Sequence, residues 1–244
     1  SFMTAPVVTL LPYFQNFDTA MNSGWTSTIV GGTLNDWQLG TPNKTVLSAA
    51  FSAPNAWVTK LSGNYSTNHN AALESPQLDF TSYTGNPILR FKHKFITESC
   101  CDGGMLEISI NGGAWTKVEN VLGTGANFNT TNGNAWYNSA AQTNTWGNNS
   151  TAYSTAVNGW ITSNIALPGS AGQSNVRVRF RFVSDISIEN DVCMIDDIEI
   201  FAPSAPTVLT GSYTNLTTSN ITIIGNITND GGNTVTASGI VLST

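Results

Sequence analysis

Two adjacent carboxylates, Asp196 and Asp197, sit inside an apolar run that extends from Cys193 to Phe201. A carboxylate beside a core needs a partner, and a guanidinium group or a bound cation would serve. Neighbouring strand positions point to opposite faces, so one of the two is expected to turn inward. A source of positive charge lies just upstream, where Arg177, Arg179 and Arg181 alternate with Val176, Val178, Phe180 and Phe182. A second acidic group, Glu98, Asp102 and Glu107, brackets Cys100 and Cys101. Carboxylate pairs of this kind perform general acid–base work or cleave glycosides. Asp102 precedes Gly103-Gly104, however, and an aspartate there caps its own turn, which is the reading preferred. Asp185, Glu189, Asn190 and Asp191 either complete a second cation site or solvate their loop, and solvation is the simpler expectation.

Signatures of covalent or metal catalysis are missing from the chain. There is no Gly-x-Ser-x-Gly elbow, no His-Glu-x-x-His pair and no phosphate-cradling glycine loop. The two histidines, His69 and His93, have no spacing that implies a metal pair. His93 is in phase with Leu89, Phe91 and Phe95, and reads as a core or half-buried side chain rather than a base. Of the three cysteines, Cys100 and Cys101 are adjacent, which strains a bridge between them. One of them can pair with Cys193, and Cys101–Cys193 is the assignment adopted; three buried thiols are the alternative. Such a bridge closes a loop of roughly 90 residues and contributes about 4 to 5 kcal/mol in the chain-entropy picture. Trp136, Tyr137, Trp146 and Tyr153 are spread through residues 123–154, a long Asn-, Gly-, Thr- and Ser-rich stretch without a core pattern. Aromatic rings beside amides stack on sugars, and they equally pin long loops to a sandwich.

The elements that must hold these groups are strands. Period-two alternation marks residues 56–61, 87–95 and 176–182, residues 105–110, 114–118 and 160–167 read as further strands, and Asn111-Gly112 between two of these runs is a hairpin signal. Residues 7–17 are strand-like, and no amphipathic helix stands out. The 244 residues are 40% hydrophobic, enough for a core, but only 10% charged, well below the roughly 25% of an average domain. Hydroxyls and amides replace the charges, a composition that suits an extracellular β protein. The net charge of -6 and the lack of a basic cluster argue against a nucleic-acid partner. No apolar run is long enough to span a bilayer, so no transmembrane segment is expected. No signal peptide is visible, which suggests a mature or excised segment. After residue 201 the texture changes. Residues 202–206 form a Pro/Ser/Ala linker, and 207–244 hold short β-branched runs too few to bury a core alone.

Several of these runs occur together in one order. They are Phe17-Asp18, Ser75-Pro76-Gln77-Leu78-Asp79, the Asp102 to Trp115 hairpin, the Gly172 to Phe180 run and Ile195-Asp196-Asp197-Ile198. The set resembles the MAM-like, cleaved-adhesin-like jelly-roll modules that accompany secreted bacterial peptidases and large surface adhesins. Residues 206–244 are similar to the fibronectin-type or Ig-like repeats of Bacteroidetes cell-surface proteins. The resemblance implies an all-β jelly-roll β-sandwich over 1–201 and the first part of an Ig/fibronectin-like repeat over 207–244. It also implies secretion to the cell surface, with export through type IX secretion and transient contact with that machinery. Members often hold a structural calcium where the first strand meets the last. The matching positions are Asp18 and Asp196 or Asp197, with Asn64 as a further oxygen donor; calcium accepts six to eight oxygens. The alternative is that an arginine of a neighbouring strand pairs with Asp196 or Asp197. The function expected is non-catalytic adhesion or ligand binding to an extracellular glycan or protein, with Trp136, Tyr137, Trp146 and Tyr153 as ligand contacts. The runner-up is an accessory domain of a secreted peptidase or glycoside hydrolase. Third is a free-standing hydrolase using Glu98 or Asp102.

Overall fold

The computed structural model describes residues 6–19, 23–44, 48–97, 102–118, 160–229, 231 and 237–239, and among them there is no helix. Fifteen strands are numbered in chain order. One sheet holds β1 (Val7–Val8), β3 (Thr26–Ile29), β6 (Asn70–Glu74), β7 (Gln77–Leu78), β9 (Gly103–Ile110), β10 (Thr116–Lys117) and β12 (Val176–Val183). The other holds β2 (Tyr13–Gln15), β4 (Trp37–Gly40), β5 (Ala56–Thr59), β8 (Ile88–Ile96), β11 (Ile161–Ala166) and β13 (Val192–Phe201). The pairing is antiparallel except between β1 and β7. The result is the all-β sandwich expected from the alternation, of the jelly-roll type that the resemblance implies.

Each sheet is built on one long strand. β12 pairs along its whole length with β9, and on its other side with β6 and β7 placed end to end. β13 repeats the plan in the second sheet, with β8 on one side and β5 and β2 end to end on the other. Val176, Val178, Phe180 and Phe182 point between the sheets, where Phe180 meets Phe91 edge-on at 4.7 Å and stacks on Trp25 at 5.9 Å. Each such aromatic contact adds about 0.5–1.5 kcal/mol to the area it buries. From the other sheet, Ile195, Ile198 and Ile200 enter the same core. A smaller apolar cluster, Ala56, Val58 and Met194, lies on the outer face of the β13 sheet, with Ala50 and Trp160 against it.

Two local expectations are corrected. Residues 7–17 form two short strands, with a bend over residues 10–12 between them. Gly103-Gly104 is no turn but the start of β9, pairing with Phe182 and Val183 of β12; glycine has no side chain to announce a strand. Asn111 and Gly112 both take positive φ, 53° and 72°, as the hairpin reading requires. Beyond the sandwich, β14 (Thr207–Thr214) and β15 (Thr222–Asn229) form a separate antiparallel pair, and every β14 residue is exposed.

Candidate functional site

The paired carboxylates lie at a bulge. The register of β13 against β8 shifts between Asp196 and Glu199, and Asp197 takes a left-handed φ of 43°. The bulge falls between the paired stretches of β5 and β2, so residues 51–55 and 16–18 reach it from the flanks. Asp196 is fully buried, but its carboxylate is satisfied by backbone rather than by arginine. It accepts from the N–H groups of Phe51 at 2.9 Å, Ser52 at 3.0 Å and Asp197 at 2.8 Å. The Ser52 hydroxyl donates to Asp197 Oδ1 at 2.7 Å and approaches the Asn16 carbonyl at 3.4 Å. Asn55 donates its N–H to Asp18 Oδ1 and its amide to the carbonyls of Phe17 and Asp18. One of the adjacent pair is buried, as expected, but under a loop on the outer face rather than toward the core. Burial pushes the Asp196 carboxyl up to about 7, against the lowering effect of its N–H donors.

The structure thus brings Asp18, Asp196 and Asp197 into one hydrogen-bonded cluster through Ser52, Asn16 and Asn55. Asn64 does not join it, because its amide donates to the Glu189 carbonyl. Among the described residues no three carboxylate, imidazole or thiol groups converge as a ready-made metal site. The acceptors linked through the bulge network are all oxygens: three carboxylates, the Ser52 hydroxyl and the carbonyls of Asn16 and Phe17. That donor chemistry fits a hard cation such as calcium.

The three arginines face the other way. Arg179 stands directly across from Glu74 and Glu107 on its two neighbouring strands, 2.6 Å from Glu107 and 3.6 Å from Glu74. The Trp115 ring covers its guanidinium at 4.3 Å, and Arg181 reaches Glu107 and Asn70. This ladder closes the outer face of the seven-stranded sheet, and Glu107 is spent within it.

The loops at one end of the sandwich are tied by a different cation. The Lys44 side chain is 1% exposed. Its ammonium donates to the carbonyls of Gly63 and Asp191 and lies 3.8 Å from the Asp191 carboxylate. Burial lowers its pKa to about 8, opposed by Asp191. The acidic loop 185–191 is therefore engaged at its end by a lysine rather than merely solvated. Asp102 accepts from the Tyr65 hydroxyl at 2.6 Å and the Asp185 N–H at 2.8 Å, so it joins two loops instead of capping its own turn. His69 Nδ1 donates to the Phe182 carbonyl, and its Nε2 accepts from the Asp36 N–H, which commits both ring nitrogens to backbone. His93 lies in the core, 2.9 Å from the Ser163 hydroxyl and stacked on Phe95.

A surface that the sequence reading missed covers the outer face of the β13 sheet. Arg90 and Lys92 project there from β8, about 7 Å apart along the strand. Arg90 donates to Glu199 at 2.8 Å and Asn164 at 2.7 Å, with its guanidinium 4.6 Å over the Phe201 ring. Lys92 donates to Thr162 at 2.6 Å and lies 4.4 Å over Phe51, whose ring meets Trp160 edge-on at 5.7 Å. Phe14, opposite Glu199 on β2, is 59% exposed and Phe51 is 46% exposed. The face therefore offers open aromatic rings set among fixed hydrogen-bond donors and acceptors.

No known family's profile and no curated protein matches the chain. Among solved structures it is similar to the K2 cleaved adhesin domain of Lys-gingipain, at 17% identity and a TM-score of 0.46, over 78% of this chain and 97% of that one. It is also similar to TmCBM61, solved with β-1,4-galactotriose, at 14% identity and a TM-score of 0.43, over 77% and 94%. A third is the xylan-binding CBM22-1 domain of Paenibacillus barcinonensis Xyn10C, at 11% identity and 0.39, over 78% and 92%.

Trp136, Tyr137, Trp146, Tyr153, Glu98 and Cys101 lie outside the described residues, and so does Cys100. Cys193 is buried in β13. The signal that could have found the platform was the alternation of β8, which puts Arg90, Lys92 and Lys94 on one face. Phe51 gave none, because it reaches that face through a non-local backbone contact with Asp196.

Proposed function

We propose that this chain is a non-catalytic adhesion module that binds glycans on the outer face of its β13 sheet. The carrying observation is the pair of exposed rings, Phe14 and Phe51, beside Arg90, Lys92, Asn164 and Glu199. An open ring supplies an apolar stacking surface for a sugar, and the fixed polar groups answer its hydroxyls. Among the described residues, Glu107 is engaged in the arginine ladder, Asp102 between two loops and both histidines in buried hydrogen bonds, which supports the non-catalytic reading. If the chain accompanies a secreted peptidase or glycoside hydrolase, the same face would hold that enzyme at its substrate. The setting proposed is the cell surface or the medium, with export by type IX secretion as the sequence resemblance implies.

The bulge cluster is proposed as the seat of a structural calcium, held by Asp18, Asp196 and Asp197 with the Ser52 hydroxyl and the Asn16 carbonyl. When bound, calcium would supply the positive charge that keeps the buried Asp196 carboxylate ionised. Residues 207–244 are proposed as the opening of a separate β unit, joined through 202–206.

A glycan array probed with the parent chain and with Phe51→Ala tests the binding reading. The substitution is expected to reduce retained signal about tenfold while the far-ultraviolet spectrum stays unchanged. Binding that survives Phe51→Ala but is lost in Trp136→Ala or Trp146→Ala would move the site to the stretch 123–154.

A further inference from the structure

Two cations on the proposed glycan-binding face have no ion-pair partner among the described residues. Arg90, Lys92 and Lys94 follow one another down the outward side of β8, in a chain with only nine lysines and arginines and a net charge of -6. Arg90 is neutralised by Glu199. Among the described residues no ion pair includes Lys92 or Lys94. The carboxylate nearest to Lys92 in register is Asp196, directly across on β13. That carboxylate is turned to the N–H groups of Phe51 and Ser52, so it is spent on the loop and not on the ammonium. Lys92 is instead positioned by neutral partners, the Thr162 hydroxyl at 2.6 Å and the face of Phe51 at 4.4 Å. An ammonium held over an aromatic ring keeps its charge and two of its donors for another acceptor.

We infer that the glycan recognised on this face is acidic: a sugar bearing a carboxylate or sulfate, its ring against Phe51 and its anionic group on the Lys92 ammonium. Charge-assisted hydrogen bonds are roughly twice as strong as neutral ones, so the anionic group would select the sugar. The inference rests on the binding reading above but adds to it, since Phe51 alone would stack neutral sugars equally well. Asp191 acts electrostatically on Lys94 at the far end of the column, so the ammonium that an anionic ligand would meet is that of Lys92.

Isothermal titration with three probes decides it: trigalacturonate, a heparin tetrasaccharide and uncharged galactotriose. The parent chain is expected to bind at least one acidic probe about tenfold more tightly than galactotriose. That preference should shrink at high salt, as an exposed charge pair requires. Lys92→Gln is expected to remove the preference, and Lys92→Arg to retain most of it, with both melting as the parent does. Galactotriose binding as tightly as the acidic probes, with Lys92→Gln unchanged, would overturn the acidic inference and leave the glycan reading standing. Failure of the parent chain to bind any of these three, or any glycan on the array, would overturn both.

Discussion

His93 shows what a single buried imidazole does to this fold. It sits wholly within the core between Phe91 and Phe95, and burial lowers its pKa to about 3. The unfolded chain takes up the proton near 6.5, the folded chain only near 3. The stabilising contribution is therefore complete above pH 6.5 and is lost as pH falls from there toward 3. A shift of this size corresponds to roughly 5 kcal/mol as an upper bound. His69, lowered by burial as well, acts in the same direction. Asp196 is shifted the opposite way, so the difference between variant and parent isolates the imidazole. His93→Phe should weaken the fall in urea midpoint between about pH 7 and pH 4.5, although the Ser163 hydroxyl loses its partner. Parallel pH profiles for the two proteins would show that His93 is not held neutral. The alternation around His93 announced its place in the core; its Ser163 partner, 70 residues away on β11, was not legible.

At the level of elements, the two central strands solve the same problem in opposite ways. β12 carries charge in strict alternation, and each neighbour supplies a glutamate in register with Arg179. β13 breaks its alternation, and the bulge throws Asp196 and Asp197 into a gap that loops must fill. The first solution was half legible: the arginine face was plain, but the registers of Glu74 and Glu107 appear only once the strands pair. The second was legible only as an anomaly, a doubled aspartate where alternation fails. Its loop partners Phe51, Ser52 and Asn55 each donate a backbone N–H, a group that every residue type except proline possesses and that leaves no trace in sequence, and only Ser52 and Asn55 add a side-chain donor. Asn64 shows the same limit, since its amide donates to a backbone carbonyl on a distant loop. Calcium at the bulge should raise the thermal midpoint of the parent chain, with chelator reversing the gain. Asp196→Asn should abolish that dependence, because the neutral amide has no charge to offer a cation. A midpoint indifferent to calcium and chelator in the parent chain would remove the ion from this account.

For the whole molecule, the question is where the cooperative unit stops. Both buried clusters are complete by Ile200, and no residue of β14 or β15 belongs to either. The hairpin leaves Val208, Leu209, Tyr213 and Ile224 more than half exposed, so it draws little stability from burial where it stands. A two-stranded hairpin is marginal in water at best, and this one cannot be what holds the sandwich together. The change of texture at Ala202 in the sequence follows directly on Ile200, the last residue of the buried clusters. A chain cut after Pro206 should therefore melt within about 2 °C of the full chain, since so exposed a hairpin contributes less than about 1 kcal/mol to the sandwich. It should also retain glycan binding, because Phe14, Phe51, Arg90 and Lys92 all precede the cut. A truncated chain that melts many degrees lower would show that residues 207–244 brace the sandwich. One that melts normally but no longer binds would place part of the ligand contact on the segment removed.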